Sequence, residues 1–184
     1  MPRALPLVLA EPELPHPELL AARLDGEVFA FASGFCPIDE IVQPAHRAYV
    51  AMMGLPPRLI PEQLNAAWIW GALDLRQEPH QFCVRLDARV GHTSSRAIHV
   101  REVVLDDSDV AELGDVAVTT PLRTAVDIAR FSSRWTERER TTLERLMAIG
   151  RFDRADIERH LDARNKLPAK RLARRRIRGL TDSD

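Results

Sequence analysis

Val118-Thr119-Thr120-Pro121-Leu122-Arg123-Thr124-Ala125-Val126-Asp127-Ile128-Ala129-Arg130 decides the fold, because a strand ends in this stretch and a capped helix begins. The Thr120 hydroxyl can take up free backbone N–H groups of a first helical turn, and Pro121 at the first helical position forfeits no hydrogen bond there. Leu122, Ala125, Val126 and Ala129 share one apolar face. Arg123 and Asp127, four residues apart, pair beside it. A mixed face of this kind suits a helix lying between layers. Upstream the chain breaks into short helices and strands, and downstream every segment is helical, so the expected class is α+β: a small mixed or antiparallel sheet followed by a C-terminal helical bundle.

Working back from that helix, three strands are expected at residues 81–86, 97–105 and 115–119. Phe82, Val84 and Leu86, like Ile98 and Val100, alternate with polar neighbours, which predicts one buried and one solvated sheet face. Between the first two strands, residues 87–96 form a solvated hairpin loop carrying Arg89, His92 and Arg96. Asp106, Asp107 and Asp109 belong to a solvated turn ahead of a short helix. Further back, Pro61 opens and Gly71 closes a helix in which Ala66 and Ala67 admit a close neighbour, while Trp68 and Trp70 point to different sides. Arg58-Leu59-Ile60 is a short strand before it. Residues 42–53 form another helix, with Met52 and Met53 filling core and His46 solvated beside Arg47.

The N-terminal 16 residues hold Pro2, Pro6, Pro12 and Pro15 and are expected to run as an extended arm. A helix at 17–24, a stop at Asp25-Gly26, a strand at 27–31 and a turn at Ser33-Gly34 follow. Helix plus hairpin has the form of the back end of a winged helix. Residues 1–25 offer only Arg3 and Arg23 as basic side chains, too few for a helix that reads base edges in the usual way.

Forward from the deciding stretch, Thr136 and Glu139 form a capping box that opens a helix reaching Ile149, with Leu143, Leu146 and Met147 inward and Gly150 as its stop. Residues 153–161 form a further helix. From Pro168 a last one begins, anchored by Leu172, Ile177 and Leu180, with its arginines free. The net charge of −1 conceals an asymmetry: Lys166 to Arg178 holds seven basic residues and no acidic one, leaving −8 on the remainder. An acidic body thus carries a basic end, and Arg171, Arg174, Arg175, Arg176 and Arg178 are the candidates for weak DNA or RNA binding.

Function classes narrow by chemistry. The sequence lacks a phosphate-cradling G-x-x-x-x-G-K-[ST], a G-x-S-x-G, an H-E-x-x-H and paired cysteine ligands, so no catalytic residue, metal site or cofactor is expected. Cys36 and Cys83 stand far apart, which fits a reducing cytoplasm and no disulfide framework. The apolar run Ala4 to Ala10 is seven residues long, too short for a membrane span.

Two motifs carry a resemblance. The run Val118-Thr119-x-Pro121-x-Arg123-Thr124-x-x-Asp127, with Asn65-Ala66-Ala67 and Trp70-Gly71, resembles the AbiEi-like antitoxins of bacterial type IV toxin–antitoxin systems across about residues 24 to 165. Gln63 and Leu64 depart from the serine–histidine form of that second motif. The resemblance implies a degenerate N-terminal winged-helix remnant in residues 1–40, an α/β core at 41–165 and a basic helix or tail at 166–184. It also implies a non-enzymatic protein that neutralises a nucleotidyltransferase-type toxin, with Asn65, Trp70, Arg123 and Asp127 as partner-contact candidates. The alternative is a DNA-binding transcriptional regulator without toxin partner. A metal-dependent nuclease built on Asp106, Asp107 and Asp109 is less well supported, since no Glu-x-Lys follows the cluster.

Overall fold

Proline and glycine set the pieces of the N-terminal region. In the computed structural model, which describes residues 8–11, 14–86, 95–164 and 167–180, α1 (His16–Leu24) starts behind Pro15 and stops at Asp25. Gly26 then reverses the chain with φ +76°. β1 (Val28–Phe31) and β2 (Gly34–Pro37) follow as an antiparallel hairpin, with Val28 opposite Pro37 and Phe31 opposite Gly34. The arm residue Leu9 exchanges two 2.8 Å backbone hydrogen bonds with Phe35. Gly34 is required by that contact, because a Cβ there would lie 2.5 Å from Val8 Cγ1 and 2.9 Å from the Leu9 carbonyl. Leu9, Leu19, Val28 and Phe35 close a small core under the hairpin. One helix and one hairpin are thus present as expected. The rest of the expected arm, residues 1–7 and 12–13, lies outside the described residues.

The middle of the chain gives α2 (Pro44–Met52), β3 (Ile60–Pro61), α3 (Gln63–Ile69), β4 (His80–Arg85), β5 (Ile98–Val103), a 3-10 turn at Asp107–Asp109, β6 (Val110–Leu113) and β7 (Val116–Thr119). β3 pairs antiparallel and β5 parallel with the central β4, a mixed sheet. β6 and β7 make a separate antiparallel hairpin. Three expectations change here. Pro61 sits in the edge strand β3, where its missing N–H costs no ladder bond, and Glu62 takes the position before the helix without a capping hydrogen bond from its side chain. Residues 110–113, following the acidic cluster, are a strand. In β4, Phe82, Cys83 and Val84 are all buried: Phe82 and Val84 pack with Leu59, while Cys83 packs with Ile60 and Leu105 on the other side. The strand therefore has no solvated face, as parallel pairing commonly demands. Leu86 at its end is exposed.

α4 (Pro121–Phe131), α5 (Glu137–Gly150), α6 (Arg154–Asp162) and α7 (Lys170–Arg178) complete the α+β fold. The Thr120 hydroxyl accepts from the Arg123 backbone N–H at 3.3 Å, so the expected cap is present. α4 packs against α3, α5, α6 and α7, which is why Ala125, Val126, Ile128 and Ala129 are all fully buried. Thr136 and Glu139 form the capping box of α5. Gly150 lies inside that helix rather than after it, and Arg151 turns out of it at φ +52°. One apolar cluster gathers Val8, Cys36, Trp68, Val126, Leu143, Ile157, Ala173, Ile177 and Leu180, and so runs across residues 40/41 and 165/166. Among the described residues no helix is long and apolar enough to cross a membrane.

Candidate functional site

The first turns of α4 build an internal charge network. Arg123 donates from Nε to Asp127 Oδ2 at 2.8 Å, which is the expected intrahelical pair. Its Nη1 donates at 2.6 Å to Asp109 Oδ2 from the 3-10 turn, and at 3.3 Å to the Val104 carbonyl. Asp127 takes a second arginine, Arg130, through Oδ1 at 2.8 Å, and a third, Arg101 of β5, stands 3.8 Å from Oδ2. Arg101 in turn grips Glu62 with both prongs, at 2.7 and 2.6 Å. Arg164, just beyond α6, binds Asp109 Oδ2 at 2.7 Å and also Asp106. Four arginines meet four carboxylates, and Glu62, Asp109 and Asp127 are fully buried. Bidentate and charge-assisted geometry of this kind is what allows such groups to leave water.

Burial and pairing pull against each other at each member. Burial pushes the Glu62 carboxyl above its ordinary range, and the grip of Arg101 only partly offsets it. Burial opposes the charge on Arg123, yet Asp127 and Asp109 outweigh it and its pKa rises. Arg130 is pulled down by burial despite Asp127. Burial and the neighbouring Arg164 charge hold His160 below the usual imidazole value. Asp109 Oδ1 has no hydrogen-bond partner, and His160 Nε2 stands 3.6 Å from it. The guanidinium groups of Arg101 and Arg130 lie 4.1 and 4.3 Å from the Phe131 ring centroid, so that half-exposed ring caps the network.

The second motif joins the first at Thr119. Trp70 donates its indole N–H to the Thr119 carbonyl at 2.8 Å, and the Thr119 and Thr124 hydroxyls meet at 2.8 Å. The Thr119 hydroxyl also lies 3.3 Å from the Pro61 carbonyl, tying α3, β3, β7 and α4 into one joint. Ala66 and Ala67 are fully buried where α3 approaches α4, and Gly71 ends the turn at φ +84°. Asn65 bridges outward, donating to the Gln81 carbonyl at 3.2 Å and accepting from Arg76 at 2.9 Å. Trp68 stacks on Phe31 at 6.3 Å with Arg47 and Arg76 over its ring. Burial pushes the Arg76 guanidinium down to about 10.

This geometry corrects the placement of several candidates. Asn65, Arg123 and Asp127 are buried and hold the scaffold together, so of the four partner-contact candidates only Trp70 reaches the surface, half-buried. The surface over the network is made instead by Val104, which is 67 % exposed, with Phe131 and the edges of Arg101, His160 and Arg164. The acidic run is solvated at Asp106 and Asp107, which are exposed although Asp106 reaches Arg164 and Asp107 stands 3.2 Å from Arg85, whereas Asp109 is buried against Arg123 and Arg164. His46 is buried rather than solvated, because its Nδ1 accepts from the Gln43 backbone N–H at 3.1 Å and closes the start of α2. Met52 and Met53 are half-buried. Arg89 and His92 lie outside the described residues, and Arg96 is exposed.

Of the basic C-terminal candidates, two are structural. Arg176 donates to the Ala129 and Ser132 carbonyls, both at 2.9 Å, and lies 4.9 Å over Trp135. Arg174 pairs with Asp162. Arg171, Arg175 and Arg178 are exposed. Glu62, Arg101, Arg130 and Arg164 were not singled out by spacing, and Asp109 was singled out only within the acidic cluster; of the first four only Arg130, three residues after Asp127, carried a local signal.

The network holds its arginines in carboxylates, and the neighbouring Cys83 thiol is buried and pushed well up in pKa by burial and then by Glu62. Among the described residues no group of three or more His, Cys, Asp or Glu side chains is placed to hold a metal ion. What the arrangement does chemically is fix α3, β5, the 3-10 turn, α4 and α6 rigidly against one another. The sequence matches no protein-family model and no curated protein.

Proposed function

We propose that this chain is a non-enzymatic antitoxin-type protein that neutralises a nucleotidyltransferase-type toxin, acting in a reducing cytoplasm. The observation that carries the reading is the convergence of the two motifs on one joint, where Trp70 of the second motif donates to Thr119 of the first. Motif residues far apart in sequence that meet in space point to one shared purpose. Their buried members set the frame, and Trp70, Val104 and Phe131 offer aromatic and apolar contacts beside it, the residue types that anchor protein interfaces. Cys36 and Cys83, both buried and neither joined in a disulfide, suit a reducing compartment.

The test is co-expression with a nucleotidyltransferase-type toxin encoded beside this gene. Growth arrested by the toxin is expected to resume, and Val104→Glu, an exposed change, is expected to weaken the rescue without lowering the amount of folded protein. Persistent arrest with abundant folded chain, together with tight operator-specific DNA binding, overturns the reading in favour of a transcriptional regulator.

A further inference from the structure

The basic residues of α7 divide into two sets that the sequence does not distinguish. Lys170 and Arg174 pair with Asp162, and Arg176 is spent on backbone carbonyls of α4 and its exit. The other three, Arg171, Arg175 and Arg178, are exposed, and no carboxylate among the described residues pairs with them. Steps of four and three place them on one helical face. At about 1.5 Å rise per residue the stripe is roughly 10 Å long.

The stripe sits on a fixed support. Ala173, Ile177 and Leu180 on the opposite face are buried in the main core, and Arg130 holds the Pro168 carbonyl at 3.0 Å just before the helix. The arginines are therefore presented in a set register rather than on a loose tail. Folding gains nothing from that register, since like charges at these spacings destabilise a helix. A polyanion along the stripe would relieve the repulsion.

We infer that the outer face of α7 is a contact for the phosphodiester backbone of nucleic acid, made by Arg171, Arg175 and Arg178. A protein partner is disfavoured by composition: none of the exposed large apolar side chains lies on α7, whereas protein interfaces bury an apolar core and deplete charge from it. The face also lacks the Asn or Gln side chains that pair with adenine edges, and the remaining body carries −8 and repels phosphate. Binding through it is shallow, salt-sensitive and indifferent to sequence. The inference is independent of the toxin reading.

The test is fluorescence anisotropy of the full-length protein with short duplex DNA and with single-stranded RNA, each in two unrelated sequences. Three neutralised phosphates predict a roughly 40-fold loss of duplex affinity between about 50 and 200 mM salt, and about 20-fold for a single strand. Tighter binding to one polymer names the ligand and sustains the inference. The triple variant Arg171→Gln, Arg175→Gln, Arg178→Gln is expected to lose binding at low salt while keeping its circular dichroism and urea midpoint. Arg174→Gln, whose partner is Asp162, should retain the full salt dependence. Absence of wild-type binding at low salt, or an unchanged slope in the triple variant, overturns it.

Discussion

Asp127 receives one arginine from each side along its own helix, and a third from β5 stands close by. Arg123 is the member whose loss costs most, since it alone bridges Asp127 and Asp109. Replacing it with alanine leaves two buried carboxylates short of a partner, and we expect about 3–5 kcal/mol of destabilisation, read from the urea midpoint of Arg123→Ala. A change below about 1 kcal/mol, the level of an exposed pair, would contradict the burial described. The Arg123–Asp127 pair was legible because helical spacing is a local property. Asp109, Arg101, Arg164 and Glu62 were not, because they arrive from elements whose positions only the tertiary fold determines. The same limit hid His46, whose ring looks solvated beside Arg47 until α2 is packed.

At the level of elements, the caps were the best-read features: Thr120 and the Thr136–Glu139 box stand where their side-chain chemistry places them. Gly150 was legible as special but for the wrong reason. A Cβ on it would approach Phe152 at 2.7 Å and Pro121 Cβ at 2.9 Å, so glycine there permits the end of α5 to close on the start of α4. Gly150→Ala should cost roughly 1–3 kcal/mol by overpacking. By contrast, Arg151→Gly, at the left-handed position that glycine favours, should be neutral or stabilising. Thermal unfolding of the two variants separates these roles, and the opposite order of stabilities would return Gly150 to the part of a simple stop. Strand β4 shows the converse problem: alternation implied a wet face, but coverage from both sides is a matter of topology that Phe82, Cys83 and Val84 cannot announce.

On the scale of the whole molecule, the charge asymmetry was plain in the sequence, while the incorporation of the basic end into the core was signalled only by Leu172, Ile177 and Leu180. Ile177 and Leu180 are almost fully buried, worth about 3–6 kcal/mol together, against a total of about 5–15 kcal/mol for an ordinary domain. A chain ending at Leu167 should therefore lose most of its cooperative unfolding transition, measured by urea titration; an unchanged midpoint would show α7 to be dispensable. The two cysteines have a different consequence. Cys36 lies on β2, beside the arm, and Cys83 lies at the centre of the mixed sheet, both buried and both pushed up in pKa by burial first and a nearby glutamate second. Neither sulfur can be alkylated until the structure around it opens. The native molecule thus carries two internal clocks: the rate at which each thiol is labelled times the breathing of its own region, one for the hairpin and one for the sheet.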